Sequence, residues 1–334
     1  MISLELEGIF TSTIGSFPLD DTICNRKRCI EDLLRNEIDF PAYPQLKDMD
    51  KQFLEDLVAQ DVGIVIENGT YMLKNKKLRG EVSPPGLDPL LWTIQYLKGL
   101  GLKSKVRLKA PIIGPYTLAS YIRIQTRINT FPFNTAASDP ELVRQLADII
   151  KKSCKEASRY AEIISIDEPI LGILIGSRAT FAHKEEEIIE IINGLKEACG
   201  ERIVGTHICG RISPKLVDLL LRTELDFLSH EFYDTPENID VYSPRRLRES
   251  GKILSVGCLS TKNPQIETVD DILSLMEKFR EYNECLIFTP DCGFRKLLTS
   301  NLDKEEAYEI SMKKIRNMVQ AARKFAYKYK KLFE

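Results

Sequence analysis

Short runs rich in Val, Ile, Leu and Thr recur along the chain, each parted from the next by a longer stretch, and this alternation constrains the fold most. Eight such runs can be read, at residues 11–17, 63–68, 105–112, 163–168, 202–209, 227–232, 252–258 and 285–292. Amphipathic helical patterns fall between them, as at 140–160, 183–198, 214–223, 269–282 and 304–327. Strand alternating with helix implies parallel pairing, because parallel neighbours need a crossover connection. Eight units in 334 residues predict an α/β fold of the closed (β/α)8 type, a TIM barrel, with residues 1–334 as one barrel domain. An open doubly wound sheet is the competing architecture, but no glycine-rich dinucleotide loop follows any run. Residues 18–60, with Pro41, Pro44 and two helical patterns, predict an elaborated first βα connection, and 130–140 reads as a mobile loop near the mouth.

Composition narrows the partners. A formal net charge of −2 with mixed signs argues against nucleic acid. The basic stretch 323–331, interleaved with Phe325, Tyr327 and Tyr329, reads as a last helix with a solvated face and its aromatics on the barrel. No run approaches the roughly 20 apolar residues of a membrane span. Residues 1–10 carry Glu5 and Glu7 and no basic, apolar leader, so a cytoplasmic protein is expected. Its eight cysteines are then thiols or metal ligands.

The strand-like runs end in reactive residues: Ser16, Glu67, Asp167-Glu168, His207 with Cys209, His230-Glu231, Cys258 and Asp291-Cys292. In a parallel barrel all these ends meet at one mouth, where active sites sit. His207 and Cys209, two apart on a strand, project to the same face. With Cys292 they offer imidazole and thiolates, the ligands that zinc favours. The fourth ligand is Glu231, His230 or Cys258. The remaining cysteines read as ordinary buried or surface residues, and His183, at a charged helix start, as a surface residue. A metal site of this kind strips the proton from a thiol, and two thiolates suit thiol alkylation better than hydrolysis.

At these residues the chain resembles the cobalamin-independent methionine synthase family, in the short single-barrel form of its C-terminal catalytic half. Thr13-Ile14-Gly15-Ser16-Phe17-Pro18 is similar to that half's opening motif, Ile166-Asp167-Glu168-Pro169 to its middle motif, His207-Ile208-Cys209 to its zinc motif and Pro290-Asp291-Cys292-Gly293 to its last. The four motifs fall in the family's order. The resemblance implies a Zn2+ held by His207, Cys209, Glu231 and Cys292. It implies that Ile14 and Ser16 hold an amino-acid carboxylate through backbone groups and that Asp167 receives the amine.

Three departures bear on the substrates. Glu67-Asn68-Gly69 stands where the family has its second acid, which Glu67 replaces only after a local shift. Ser260 and Lys262 stand where the family has Asp and a catalytic His, leaving Lys262 either a catalytic group or a partner of Glu267. Tyr121 falls where folate-using members stack a Trp on the pterin, and their duplicated N-terminal barrel has no counterpart in this sequence. The resemblance to short archaeal-type members therefore implies methyl transfer to homocysteine, giving methionine, from a methylated corrinoid protein instead of methyl-tetrahydrofolate. The alternatives are a zinc-dependent corrinoid:coenzyme M (or other thiol) methyltransferase and a non-enzymatic zinc-binding partner of a corrinoid protein.

Overall fold

A computed structural model of the protein describes residues 8–75, 77–176, 182–282 and 285–333, with only the backbone of 330–333. The leader reading of residues 1–10 thus lies mostly outside the described residues, as do the last basic side chains of 323–331. Among the described residues ten strands occur: β1 (Gly8–Thr11), β2 (Ile64–Glu67), β3 (Thr70–Leu73), β4 (Lys109–Ile113), β5 (Ile122–Arg123), β6 (Ile163–Asp167), β7 (Ile203–Ile208), β8 (Phe227–Glu231), β9 (Ile253–Gly257) and β10 (Cys285–Thr289). Seven of them form one parallel sheet in the order β1-β10-β9-β8-β7-β6-β4. The segments β4, β6, β7, β8 and β10 are buried at every position. Helices cover such strands from outside and the interior fills from within, which is why they read as near-continuous apolar runs.

The sheet closes through a segment that does not read as a strand. Phe40 N–H donates to Thr11 O at 3.0 Å, Lys109 N–H to Pro41 O at 3.0 Å and Tyr43 N–H to Lys109 O at 3.3 Å. Parallel bridges pair Ser12 with Phe40 and Ala42 with Lys109. Residues 40–45 are therefore the eighth stave of a (β/α)8 barrel. Pro41 and Pro44 lack the N–H that a regular ladder needs, so the segment is disguised in the sequence. The connection after β1 is elaborated as expected, and it contains this stave.

The run at 63–68, expected in the barrel, lies instead in a small separate sheet, β2-β3-β5. There β2 and β3 form an antiparallel hairpin over Asn68-Gly69, both with positive φ (49° and 76°). This dipeptide is the preferred two-residue hairpin turn. The first run also shifts: β1 ends at Thr11, and residues 12–17 continue as an irregular extended loop.

Amphipathic helices pack outside. The helix Pro140–Ala157 is capped by Asp139, whose carboxylate accepts Glu141 N–H at 2.9 Å, and it buries Leu142, Val143, Leu146 and Ile150. In the helix Lys304–Phe333, Phe325 and Tyr329 are buried and Phe325 meets Phe288 of β10 at 5.3 Å, as the aromatic pattern suggested; Tyr327 is exposed. The expected loop at 130–140 is folded into turns, with Thr135 buried and bridged to Arg123. Among the described residues no helix is long and apolar enough to cross a membrane.

Candidate metal centre and substrate cavity

The alternation of β7 sends Thr206 and Ile208 to one face and His207, with Cys209 just beyond the strand, to the other. Cys292 follows β10 after Pro290 and Asp291. These distant positions converge at the strands' C-terminal ends. Ligand atoms of His207, Cys209 and Cys292 all lie within 4.8 Å of one another. The Nδ1 of His207 sits 3.2 Å from Ser229 Oγ, while its buried Nε2 has no hydrogen-bond partner. Glu231, the last residue of β8, stands beside this trio and not within it. Its Oε1 accepts the Thr235 hydroxyl and Lys262 Nζ at 3.4 Å, and its buried Oε2 has no partner. Two orphaned buried polar atoms at one site are costly unless something fills it.

The two thiols shift each other in opposite directions. A hydrogen bond with Cys292 holds Cys209 down at about 6, and the same contact, with burial, pushes Cys292 up to about 12. Burial pushes the Glu231 carboxyl up, but bonds from Thr235 and Gly210 and the charges of Lys262 and Lys296 outweigh it and leave it lowered.

The other candidate ligands are spoken for. His230 Nδ1 lies 3.0 Å from Ile208 O and its Nε2 2.8 Å from Tyr242 Oη, while burial holds it down at about 3, so it is neutral with both nitrogens engaged. Cys258 is buried, with its thiol on Thr289 O at 3.3 Å. His183, expected at the surface, is buried with Nε2 2.7 Å from Ala137 O and its ring edge-on to Tyr116.

Asp291 fastens β10 to β8. Its Oδ1 accepts Phe232 and Tyr233 N–H, both at 3.1 Å, and its Oδ2 accepts Asp234 N–H at 2.6 Å. One carboxylate thus fixes the residues after Glu231 against the residue before Cys292.

Beside the trio lies a cavity of about 570 Å³, lined among others by Ile14, Ser16, Tyr121, Asp167, His207, Cys209 and Cys292. Seven sequence-predicted residues therefore share one space. The loop carrying Ile14 and Ser16 is tightly held. Lys109, buried inside the barrel, donates from Nζ to Thr13 O at 3.0 Å. Gly15 has φ +135°, and a Cβ there would meet Gln45 Oε1 at 2.5 Å and Pro111 Cγ at 2.9 Å. Asp167 is buried and accepts Ser165 Oγ–H at 2.6 Å; burial raises its pKa, against the pull of His207 and Lys109. Its neighbour Glu168 faces elsewhere, bracing the helix Pro115–Ser120 by accepting Tyr116 N–H at 2.9 Å, Thr117 N–H at 2.8 Å and Thr117 Oγ–H at 2.6 Å.

Three expected residues do not line this cavity: Glu231, which stands beside the metal trio, Glu67 and Lys262. Glu67 ends β2 at the exposed hairpin turn, because the hairpin takes it out of the barrel. Lys262 pairs with Glu231 at 3.4 Å and Asp234 at 3.8 Å, and not with Glu267, whose carboxylate is held by the buried Lys314 at 2.8 Å. Among the other residues that line it, sequence reasoning missed Asp48 and Asp50 at the start of the helix Met49–Ala59, and Arg295 and Lys296 after Cys292. Acids opening a helix are too common to signal a site. Lys296 places Nζ 3.8 Å from Cys209 Sγ.

A model of the catalytic domain of cobalamin-independent synthases matches residues 105–324. The chain belongs to that family. Within it, the chain is 25% identical to the methionine synthase of Methanocaldococcus jannaschii over 94% of this chain and 99% of that one. It is 29% identical to the methionine synthase of Methanothermobacter thermautotrophicus over 78% and 77%. The fold matches a B12-independent methionine synthase from Shewanella sp. W3-18-1, solved with selenomethionine, at a TM-score of 0.66 and 16% identity over 98% of this chain and 99% of that chain. The putative B12-independent methionine synthase of Listeria monocytogenes matches at a TM-score of 0.61 and 15% identity, over 96% and 98%. This family member is thus an enzyme, a methyltransferase of the methionine synthase type.

Proposed function

We propose that this chain is a zinc-dependent enzyme that moves a methyl group from a methylated corrinoid protein to the thiol of homocysteine, giving methionine. The observation that carries the reading is the buried, unpartnered Nε2 of His207 beside the thiols of Cys209 and Cys292, on the wall of a cavity that also holds Asp167. One imidazole and two thiols, with the Glu231 carboxylate alongside, suit zinc and not magnesium or calcium. Bound there, zinc would supply the positive charge that lets an acceptor thiol lose its proton at neutral pH.

The chain's own residues do the rest. Asp167 receives the substrate ammonium, and a cation beside it compensates the cost of its burial. The loop of Ile14 and Ser16, fixed from below by Lys109, receives the carboxylate. Asp50, half-buried at the cavity wall, takes the place of the second acid that Glu67 does not fill. These contacts hold the thiol where it can attack in line. The sulfur–methyl bond forms as the cobalt–methyl bond breaks, the electron pair stays on cobalt, and the thiol proton leaves to solvent.

The donor reading draws on Tyr121, which is 46% exposed at the rim and so favours a partner surface over an enclosed pterin. A second acceptor, an anionic thiol such as coenzyme M, is favoured by one observation: Lys296 lines the cavity next to the thiols. The test offers zinc-loaded protein each acceptor with methylcobamide or methyl-tetrahydrofolate. Homocysteine-dependent demethylation of methylcobamide is expected. Turnover with coenzyme M alone overturns the acceptor, turnover with the folate alone overturns the donor, and no turnover at all sinks the reading.

A further inference from the structure

A site that activates one sulfur by surrounding it with others has a selectivity problem. Cys209, Cys292 and the acceptor are all thiolates once the site is charged, and the thiolate is the nucleophilic form of each. Something must make the methyl go to the acceptor and leave the protein's own sulfurs unalkylated.

Lys296 has the geometry for this. It lies in the 3-10 turn Phe294–Ser300, whose start is fixed by Phe294 N–H on Ser16 O at 2.9 Å. Gly293 before it packs so closely on Ser16 that a Cβ would fall 1.8 Å from Ser16 Oγ. The turn therefore has little freedom, and it delivers Lys296 Nζ to 3.8 Å from Cys209 Sγ, within hydrogen-bonding reach of a sulfur. The other cations near the mouth are committed elsewhere: Lys47 to Glu55 at 2.9 Å, Arg295 to Leu46 O and Asp48, Lys262 to Glu231.

We propose that Lys296 is a specificity-determining residue that masks Cys209, donating a charge-assisted hydrogen bond to its sulfur so that the acceptor thiol and not the ligand cysteine takes the methyl group. A lone pair engaged by an ammonium N–H is a poorer nucleophile, and such bonds are about twice as strong as neutral ones. The same charge balances the site, since two thiolates and a carboxylate outweigh a divalent cation by one. In the transfer the carbon–sulfur bond forms on the acceptor while Cys209 keeps its lone pair. The inference rests on the zinc-thiolate reading above.

The test measures alkylation of zinc-loaded protein by iodoacetamide, followed at Cys209 by peptide mass spectrometry, with exposed Cys24 as internal reference. Bound zinc and folding are measured first, on wild type, K296M, K296Q and K296R. In K296M and K296Q that retain zinc, Cys209 should alkylate roughly tenfold faster than in wild type, matching the loss of one hydrogen bond to a charged group. Cys24 should be unchanged and K296R should stay protected. An unchanged Cys209 rate with zinc bound overturns the masking role alone. Loss of zinc from both neutral variants overturns it by making Lys296 part of what holds the ion. A wild type that binds no zinc overturns the functional reading itself.

Discussion

Removing the Asp291 carboxylate tests whether the metal centre is positioned by one clasp between β8 and β10. In Asp291→Ala three backbone N–H groups lose their acceptor, those of Phe232, Tyr233 and Asp234. They are not equivalent. Phe232 is fully buried but keeps a weaker bond to Gly257 O at 3.3 Å, whereas Tyr233 and Asp234 lie where water can reach them. Burial pushes the Asp291 carboxyl up to about 8, so near neutral pH these are bonds to a largely neutral group, worth about 0.5–1.5 kcal/mol each. The expected loss is therefore about 3 kcal/mol for Asp291→Ala. Asp291→Asn keeps the oxygen that serves Phe232 and Tyr233 and loses only the bond to Asp234, so it should lose about half as much. The assay is urea unfolding of both variants, with the slope checked for constancy, alongside zinc competition against a chelator. Supporting groups of this kind typically alter metal affinity about 10- to 100-fold. If both variants unfold within about 0.5 kcal/mol of wild type, with unaltered zinc affinity, the clasp is not what aligns Glu231 with Cys292.

Other perturbations probe separate parts of the account. Gly15→Ala forces a Cβ into Gln45 and Pro111 at a left-handed φ, so it should destabilise by about 2 kcal/mol or more in the same unfolding assay. Lys314→Met strands Glu267 in the interior and should cost about 3–5 kcal/mol by denaturation, whereas Lys324→Met, on an exposed pair with Asp270, should cost under about 1 kcal/mol. Asp167→Asn should raise the homocysteine KM at least tenfold in steady-state kinetics while bound zinc stays the same. An unchanged KM removes Asp167 from the ammonium site.

The barrel was legible because its parallel strands are buried on both faces and therefore read as apolar runs between amphipathic helices. The convergence of Asp167, His207, Cys209 and Cys292 on one cavity was legible for the same reason, since the strand ends of such a barrel share a mouth. What misled was that eighth stave, which comes second in chain order. Two prolines removed the N–H pattern from residues 40–45, and the β-branched Ile64–Glu67 offered a better-looking strand. Its Asn68-Gly69 turn was the available sign that it was half of a hairpin. That one misplacement carried Glu67 to the wrong address. Lys296 and Asp50 were invisible because a lysine after a loop and an acid at a helix start are ordinary until tertiary packing turns them inward.

The central claim is that His207, Cys209 and Cys292 hold a zinc ion with a position free for the acceptor thiol. Zinc-edge X-ray absorption of the loaded protein, with and without homocysteine, measures this directly. Two sulfurs around zinc in the free protein and three after homocysteine is added is the predicted result. A sulfur count that homocysteine leaves unchanged would contradict it.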